Sequence, residues 1–178
     1  MPKLQIIIAS TRPTRRGPII AKWFYNFACQ NGKFDIEMVD LMDFNLPVLD
    51  EPKRPVLHEY EKEHTKKWAA KIEEGDAYVL ILPEYDYYAP ASIINALQYL
   101  VREWAYKPVG FVSYGGVSGG LRSVFAARSL KSVSCFFLLF EAPPSGPFMP
   151  TDGLPEDGRN ALTRDEQSEE WSGPGLRP

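Results

Sequence analysis

The sequence predicts one α/β domain built on a doubly wound parallel sheet, with residues 1–141 folded and residues 142–178 a separate tail. Three observations carry this. Strand-type and helix-type patterns alternate along the chain, which implies right-handed β-α-β crossovers. Residues 76–82 are apolar almost without interruption, as required of a strand that helices cover on both faces. At 178 residues the chain is long enough for one domain with a single core, and it contains no internal repeat.

Each element has its own signal. Residues 3–9 read as a buried strand, and residues 18–30 as an amphipathic helix turning Ala21, Trp23, Phe24, Phe27 and Ala28 inward. Residues 34–39 alternate apolar and polar like a second strand, and 41–55 form a proline-bearing connection. A charged helix over about 59–74 keeps Trp68, Ala69 and Ile72 inward and stops at Gly75. The third strand, 76–82, is followed by a helix over 91–103, a fourth strand at 108–113 and a helix at 121–129. Trp104 suits either the core or a subunit contact. Residues 134–140 can supply a fifth strand, whereas 142–178 are rich in Pro, Gly and charge and read as disordered.

Composition excludes several classes of function. With 20 basic and 23 acidic residues the chain is mildly acidic, which argues against nucleic acid or an anionic membrane as the main partner. No apolar stretch reaches the roughly 18 residues of a spanning helix. The first residues enter a strand without a signal-peptide pattern, so the expected location is cytoplasmic. Cys29 and Cys135 suit buried free thiols in a reducing compartment. His58 and His64 are isolated, make no metal-ligand set and are expected to be solvated.

Ligands of such a sheet collect beyond the carboxyl ends of its strands. The first strand runs into Ser10-Thr11-Arg12-Pro13-Thr14-Arg15-Arg16-Gly17 and then directly into a helix. A strand delivering a turn to a helix N-terminus captures phosphate, because the leading N–H groups and the dipole face the anion. Hydroxyls and arginines add donors. A dinucleotide-binding turn would carry three glycines, and this one has Gly17 alone, which suits a terminal monophosphate better than a pyrophosphate. Asp40, at the end of the second strand, keeps the dinucleotide reading open, although an Asp at a strand end is commonly a turn residue. The third strand ends in Pro83-Glu84-Tyr85-Asp86-Tyr87-Tyr88, whose amides can read the edge of a heteroaromatic ring. The fourth ends in Ser113-Tyr114-Gly115-Gly116-Val117-Ser118-Gly119-Gly120, which lets backbone approach a planar ligand. Together the three loops describe a mononucleotide site.

Ala9-Ser10-Thr11-Arg12-Pro13 with Gly17, Pro83-Glu84-Tyr85, Asn95-Ala96-Leu97, the run 107–116, Ser118-Gly119-Gly120 and Arg122 resemble the NADPH-dependent FMN reductase family over roughly residues 3–130. The resemblance implies a flavodoxin-like fold with a five-stranded sheet of order 2-1-3-4-5, non-covalently bound FMN, and a homodimer or homotetramer. It implies that Ser10 and Arg12 hold the phosphate, with Arg15, Gly17, Pro18 and Ile19 closing the turn. Pro83, Glu84, Tyr85, Asp86 and Tyr87 would line the isoalloxazine, largely through backbone, and Ser113, Gly115 and Gly116 would bound its other side.

Two features depart from the family pattern. Asp86 stands where the family commonly has Asn, and the closing C-terminal helix is missing or altered. The implied activity is ping-pong transfer from NADPH or NADH through FMN to a small-molecule acceptor such as a quinone, azo dye or flavin. The chemistry would occur at flavin N5, with no protein nucleophile and no metal. A flavodoxin-type electron carrier and a cofactor-free regulatory protein of the same fold are the alternatives.

Overall fold

The computed structural model describes residues 1–131. The strands are β1 (Lys3–Ile8), β2 (Asp35–Asp40), β3 (Ala77–Pro83) and β4 (Val109–Tyr114), and the helices are α1 (Gly17–Asn31), α2 (Glu63–Glu73), α3 (Ala91–Tyr99) and α4 (Leu121–Lys131). All pairings are parallel, in the order β2-β1-β3-β4, with Leu4 beside Ile36 and Ala77, and Tyr78 beside Val109. This is the expected winding for four strands. The expected fifth strand at 134–140 and the tail at 142–178 lie outside the described residues.

Every residue of β3 is buried, which explains its unbroken apolar sequence. On one face of the sheet the core holds Trp68, Tyr78, Tyr99 and Trp104, all essentially without solvent contact. Trp104 meets Tyr78 edge-on at 4.9 Å and Trp68 at 5.9 Å, so it belongs to the core. The polar tips of two of them are satisfied within the core: Trp68 Nε1 donates to Ala96 O at 3.0 Å, and the Tyr78 hydroxyl donates to Ile72 O at 2.6 Å.

Several expectations need correction. The third helix stops at Tyr99 because Leu100 is extended, and a single 3-10 turn, Arg102–Trp104, follows. The charged helix begins at Glu63, not near 59, because the carboxylate of Glu51 accepts the amides of Glu61 and Lys62 at 3.0 Å each and fixes them ahead of the helix. On α1 the helical period gathers Ala21 and Ala28 on the buried face; Trp23 and Phe24 are only half-buried and Phe27 is 51% exposed. Trp23 stacks on Phe27 at 6.3 Å. Cys29, next to buried Ala28 and turned away from the sheet, is exposed and not buried; Cys135 lies outside the described residues.

Both histidines brace the connection between β2 and α2; His58 is exposed as expected, and His64 is half-buried. His58 Nδ1 lies 2.9 Å from Glu103 Oε1, and His64 Nε2 lies 2.9 Å from Asp50 Oδ1, which also accepts from the Tyr99 hydroxyl at 3.1 Å. Asn95 clamps the same connection, donating to Pro47 O at 2.6 Å and accepting from Leu49 N at 3.0 Å.

Candidate functional site

The carboxyl ends of β1, β3 and β4 bring the three sequence-predicted loops to one edge of the sheet. Past β1, the amide of Ala9 donates to Ile81 O at 3.2 Å, and the turn closes where Arg15 N donates to Arg12 O at 3.3 Å. α1 then starts at Gly17 with Pro18 in its first turn, no acidic residue there, and no side-chain hydrogen bond capping its amides. Its positive end is therefore unopposed from within its own first turn.

Ser10 is fully buried, and its hydroxyl has no hydrogen-bond partner. The phenol of Tyr114, at the end of β4, is likewise buried without one. Both face Gly17: a Cβ there would lie 2.5 Å from Ser10 Oγ, 2.8 Å from Ile8 Cγ2 and 3.4 Å from the Tyr114 hydroxyl. Burial pushes the Tyr114 phenol up to about 12; the Ser10 hydroxyl, close by but without hydrogen-bond geometry to it, and the charges of Arg15 and Arg16 pull the other way. Buried polar atoms are almost always paired, so two orphan hydroxyls beside an uncapped helix end fit an anion with several acceptor oxygens. A flavin phosphate is such a group.

Arg15 turns inward to its own turn. Its guanidinium forks onto Asp40 at 2.7 and 2.6 Å and donates to Ser10 O at 2.7 Å. The pair is largely buried, with side chains 13% and 20% exposed. Arg15 is thus tied to its own turn and to β2, and Asp40 is committed to Arg15 and to the amide of Met42, which removes it as a ribose ligand. Arg12 remains exposed and lies over the Tyr85 ring at 5.4 Å, reaching from the first loop to the second. Pro18 is half-buried and Ile19 exposed at the start of α1.

The second loop is a two-residue hairpin. Tyr85 N donates to Tyr88 O at 2.9 Å and Tyr88 N to Tyr85 O at 3.0 Å, while Asp86 and Tyr87 both sit in the left-handed region, at φ 45° and 63°. This is the geometry for which Asn-Gly is the usual sequence. It accounts for Asp86: Asn and Asp are the non-glycine residues that tolerate positive φ, and the Asp86 side chain is exposed. The hairpin's own bonds use the amides of Tyr85 and Tyr88, so those of Asp86 and Tyr87 stand at its tip.

The third loop is pinned from beneath. Ser113 Oγ donates to Gly119 O at 3.0 Å, and Gly119 and Gly120 have φ of 59° and 87°. A Cβ at Gly120 would meet Tyr114 N at 2.6 Å, whereas one at Gly116 would meet nothing within 4 Å. Gly115 packs on Glu84, whose Cβ would be 2.9 Å from an added Cβ. Ser113 and Gly115 therefore build the shelf, and Gly116 is its open surface.

Glu84 does not line the site with its carboxylate. The side chain is 6% exposed and accepts from Ser118 Oγ, from Arg122 N at 3.1 Å and from Arg122 Nη1 at 3.2 Å. Burial alone would raise its pKa, but these hydrogen bonds and the Arg122 charge hold it below the usual carboxylate range. The N-terminus of α4 therefore already carries an anion of the protein's own, and that of α1 does not. Tyr114, Ser118 and Arg122 stand in the motifs read from the sequence, but the contacts they make were not legible there, because each depends on which loops face one another. The one available signal was strand alternation, which puts Tyr114 on the same face of β4 as Val112.

Residues 2–139 match the family model described as NADPH-dependent FMN reductase. The chain is 40% identical over 158 residues to an NAD(P)H-dependent FMN reductase of Schizosaccharomyces pombe, covering 88% of this chain and 75% of that one. Its fold is similar to that of FerB, a flavoenzyme NAD(P)H:(acceptor) oxidoreductase from Paracoccus denitrificans (TM-score 0.67, 20% identity, 93% and 91% of the two chains). It is also similar to that of a Fusobacterium nucleatum flavodoxin bound to flavin mononucleotide (TM-score 0.55, 14% identity, 93% and 92%). With the parallel strand order in agreement with that match, the chain belongs to the NADPH-dependent FMN reductase family of oxidoreductases.

Proposed function

We propose that the protein takes electrons from NADPH or NADH and passes them by ping-pong turnover to quinone-, azo- or flavin-type acceptors. The observation that carries this reading is the fully buried, unpartnered Ser10 hydroxyl at an uncapped helix N-terminus. It lies on the same edge of the sheet as a turn and a glycine shelf suited to a flat ring. FMN, when bound, would supply the redox chemistry; the chain supplies binding, orientation and polarity.

In this reading Ser10, Arg12 and the leading amides of α1 hold the phosphate, and Tyr114 adds a hydroxyl from below. Arg15, Gly17, Pro18 and Ile19 set the turn's shape. The ring side is bounded by Pro83, Tyr85 and the amides of Asp86 and Tyr87 on one hand, and by Gly115 and Gly116 over Ser113 on the other. Glu84 acts from behind. Arg12, stacked on Tyr85, keeps a charge beside both the phosphate turn and the ring side.

The reading includes a cytoplasmic homodimer or homotetramer. Val117, Leu121 and Phe125, at one-turn spacing across the shelf and the start of α4, are exposed and apolar, which supports a second copy of the chain covering them. Light scattering of the purified protein measures the assembly.

The test of function is an absorption spectrum of the purified protein, chromatography of the acid-released pigment, and addition of NADPH or NADH under nitrogen. Released FMN that bleaches with either nucleotide is expected. A protein that neither carries nor takes up FMN refutes the reading. Bound FMN that neither nucleotide bleaches leaves the electron carrier.

A further inference from the structure

Glu84 is a buried carboxylate whose hydrogen-bond partners are all structural. It receives the Ser118 hydroxyl, the Arg122 amide and the Arg122 guanidinium, while its own amide donates to Tyr114 O at 2.8 Å, carrying the β3–β4 ladder one step past the strand ends. Arg122, held by this carboxylate, stands over the Tyr87 ring at 4.5 Å. Asp86 and Tyr87 are the two residues of this turn in left-handed conformation, at a cost of roughly 1–2 kcal/mol each. Such a turn persists only where its surroundings over-determine it. Glu84 and Arg122 are those surroundings: one joins the turn to the glycine loop through the backbone, the other through the face of an aromatic ring.

We propose that Glu84 is a positioning residue for the flavin ring, a latch that uses Arg122 and Ser118 to hold the 85–88 turn and the 115–120 loop at a fixed separation before any ligand arrives. The inference rests on the FMN reading above. It assigns to the Glu84 side chain no contact with the ring. It also gives the two sides of the site different internal supports. The phosphate turn is built on Arg15–Asp40 and touches the ring side where Arg12 lies over Tyr85; the ring side is built on Glu84–Arg122. Preorganisation of this kind raises affinity by removing the ordering cost from the binding step.

The test uses the full chain, with Glu84→Gln and Glu84→Ala beside wild type. Amide hydrogen exchange without flavin reads the latch itself. Titrations with FMN and with riboflavin read its consequence. Glu84→Ala is expected to speed exchange at 85–88 and 115–122 and to weaken both flavins by a similar factor, tenfold or more, as expected for loss of hydrogen bonds to a charge. The ratio of FMN to riboflavin affinity should stay at the wild-type value, because the support of the phosphate turn is intact. Glu84→Gln, which still accepts from Ser118 and the Arg122 amide, should recover part of the loss.

Unchanged exchange in Glu84→Ala overturns the latch. Faster exchange with unchanged affinity overturns positioning. A fall in the FMN-to-riboflavin ratio overturns the assignment of different supports and marks a general loss of structure. If wild type itself takes up neither flavin, the proposed function fails and this inference with it; the exchange data distinguish that outcome from a failed latch.

Discussion

Replacing Ser10 by alanine should move stability and flavin affinity in opposite directions. Ser10 is fully buried and its hydroxyl has no partner, so the flavin-free protein carries a desolvated polar group of the kind that costs about 1–3 kcal/mol. Alanine removes that cost and leaves a space one oxygen atom wide, already crowded by Gly17. Allowing for the lost packing, Ser10→Ala should stabilise the flavin-free protein by about 0.5–1.5 kcal/mol, or about 1–6 °C in melting temperature for a chain of this size. The same change removes a donor from the proposed phosphate site, where a hydrogen bond to a charged oxygen is worth about 1.5–3 kcal/mol. FMN affinity should therefore fall by a factor of about 10–150, with riboflavin affinity little changed. Calorimetry of the flavin-free protein and parallel flavin titrations measure both. A variant that melts lower and binds FMN as tightly as wild type would show Ser10 to be a structural hydroxyl and the phosphate assignment to be wrong.

Three further outcomes test the surrounding architecture. Gly17→Ala gains about 0.4–1 kcal/mol from a stiffer unfolded chain, but its Cβ meets Ser10 Oγ at 2.5 Å and Ile8 Cγ2 at 2.8 Å, so a net loss of about 1–2 kcal/mol should appear in urea denaturation. A double-mutant cycle of Arg15→Ala and Asp40→Ala should return a coupling of about 1–3 kcal/mol in the same assay, because the forked pair is largely shielded from solvent. Glu84 has its folded pKa below the ordinary value, so its contribution to stability is complete above the unfolded carboxylate pKa of about 4.3 and is lost as pH falls through the depressed folded value. An acid titration of stability should accordingly be shallower for Glu84→Gln than for wild type below about pH 4.5.

Much of this molecule was legible because local and global preferences agree. The unbroken apolar run in β3 could only be a strand covered on both faces, and the hydroxyl- and arginine-rich turn after β1 could only lead into a helix. The errors arose where one residue's environment depends on a distant one. Glu51 reaches the amides ahead of α2 from ten residues away in sequence, and so moves a helix start that periodicity had placed earlier. Trp23 and Phe27 are apolar enough to suggest a core face, but only the angular spacing from Ala21 and Ala28 decides which side meets the sheet. Asp86 stood out only as a departure from the family's Asn, and its positive φ shows the backbone conformation that both residue types tolerate. Arg15 and Arg12 are alike as residue types, yet Asp40 takes one and leaves the other exposed.

The placement of β1 between β2 and β3 also dictates how the chain must emerge during synthesis. The first β-α-β unit can pair β1 with β2 once residues 1–40 have emerged, but the other edge of β1 stays unsatisfied until β3 arrives. Lys3 meets Asp76 across 73 positions of sequence, so closure of that edge is a long-range event. Until then Ile6 and Ile8 present an apolar, hydrogen-bond-hungry border of the sort that recruits other chains. A pause in synthesis that keeps residues 77–83 inside the ribosome would hold the nascent protein with that edge open, and one after β3 has emerged would not.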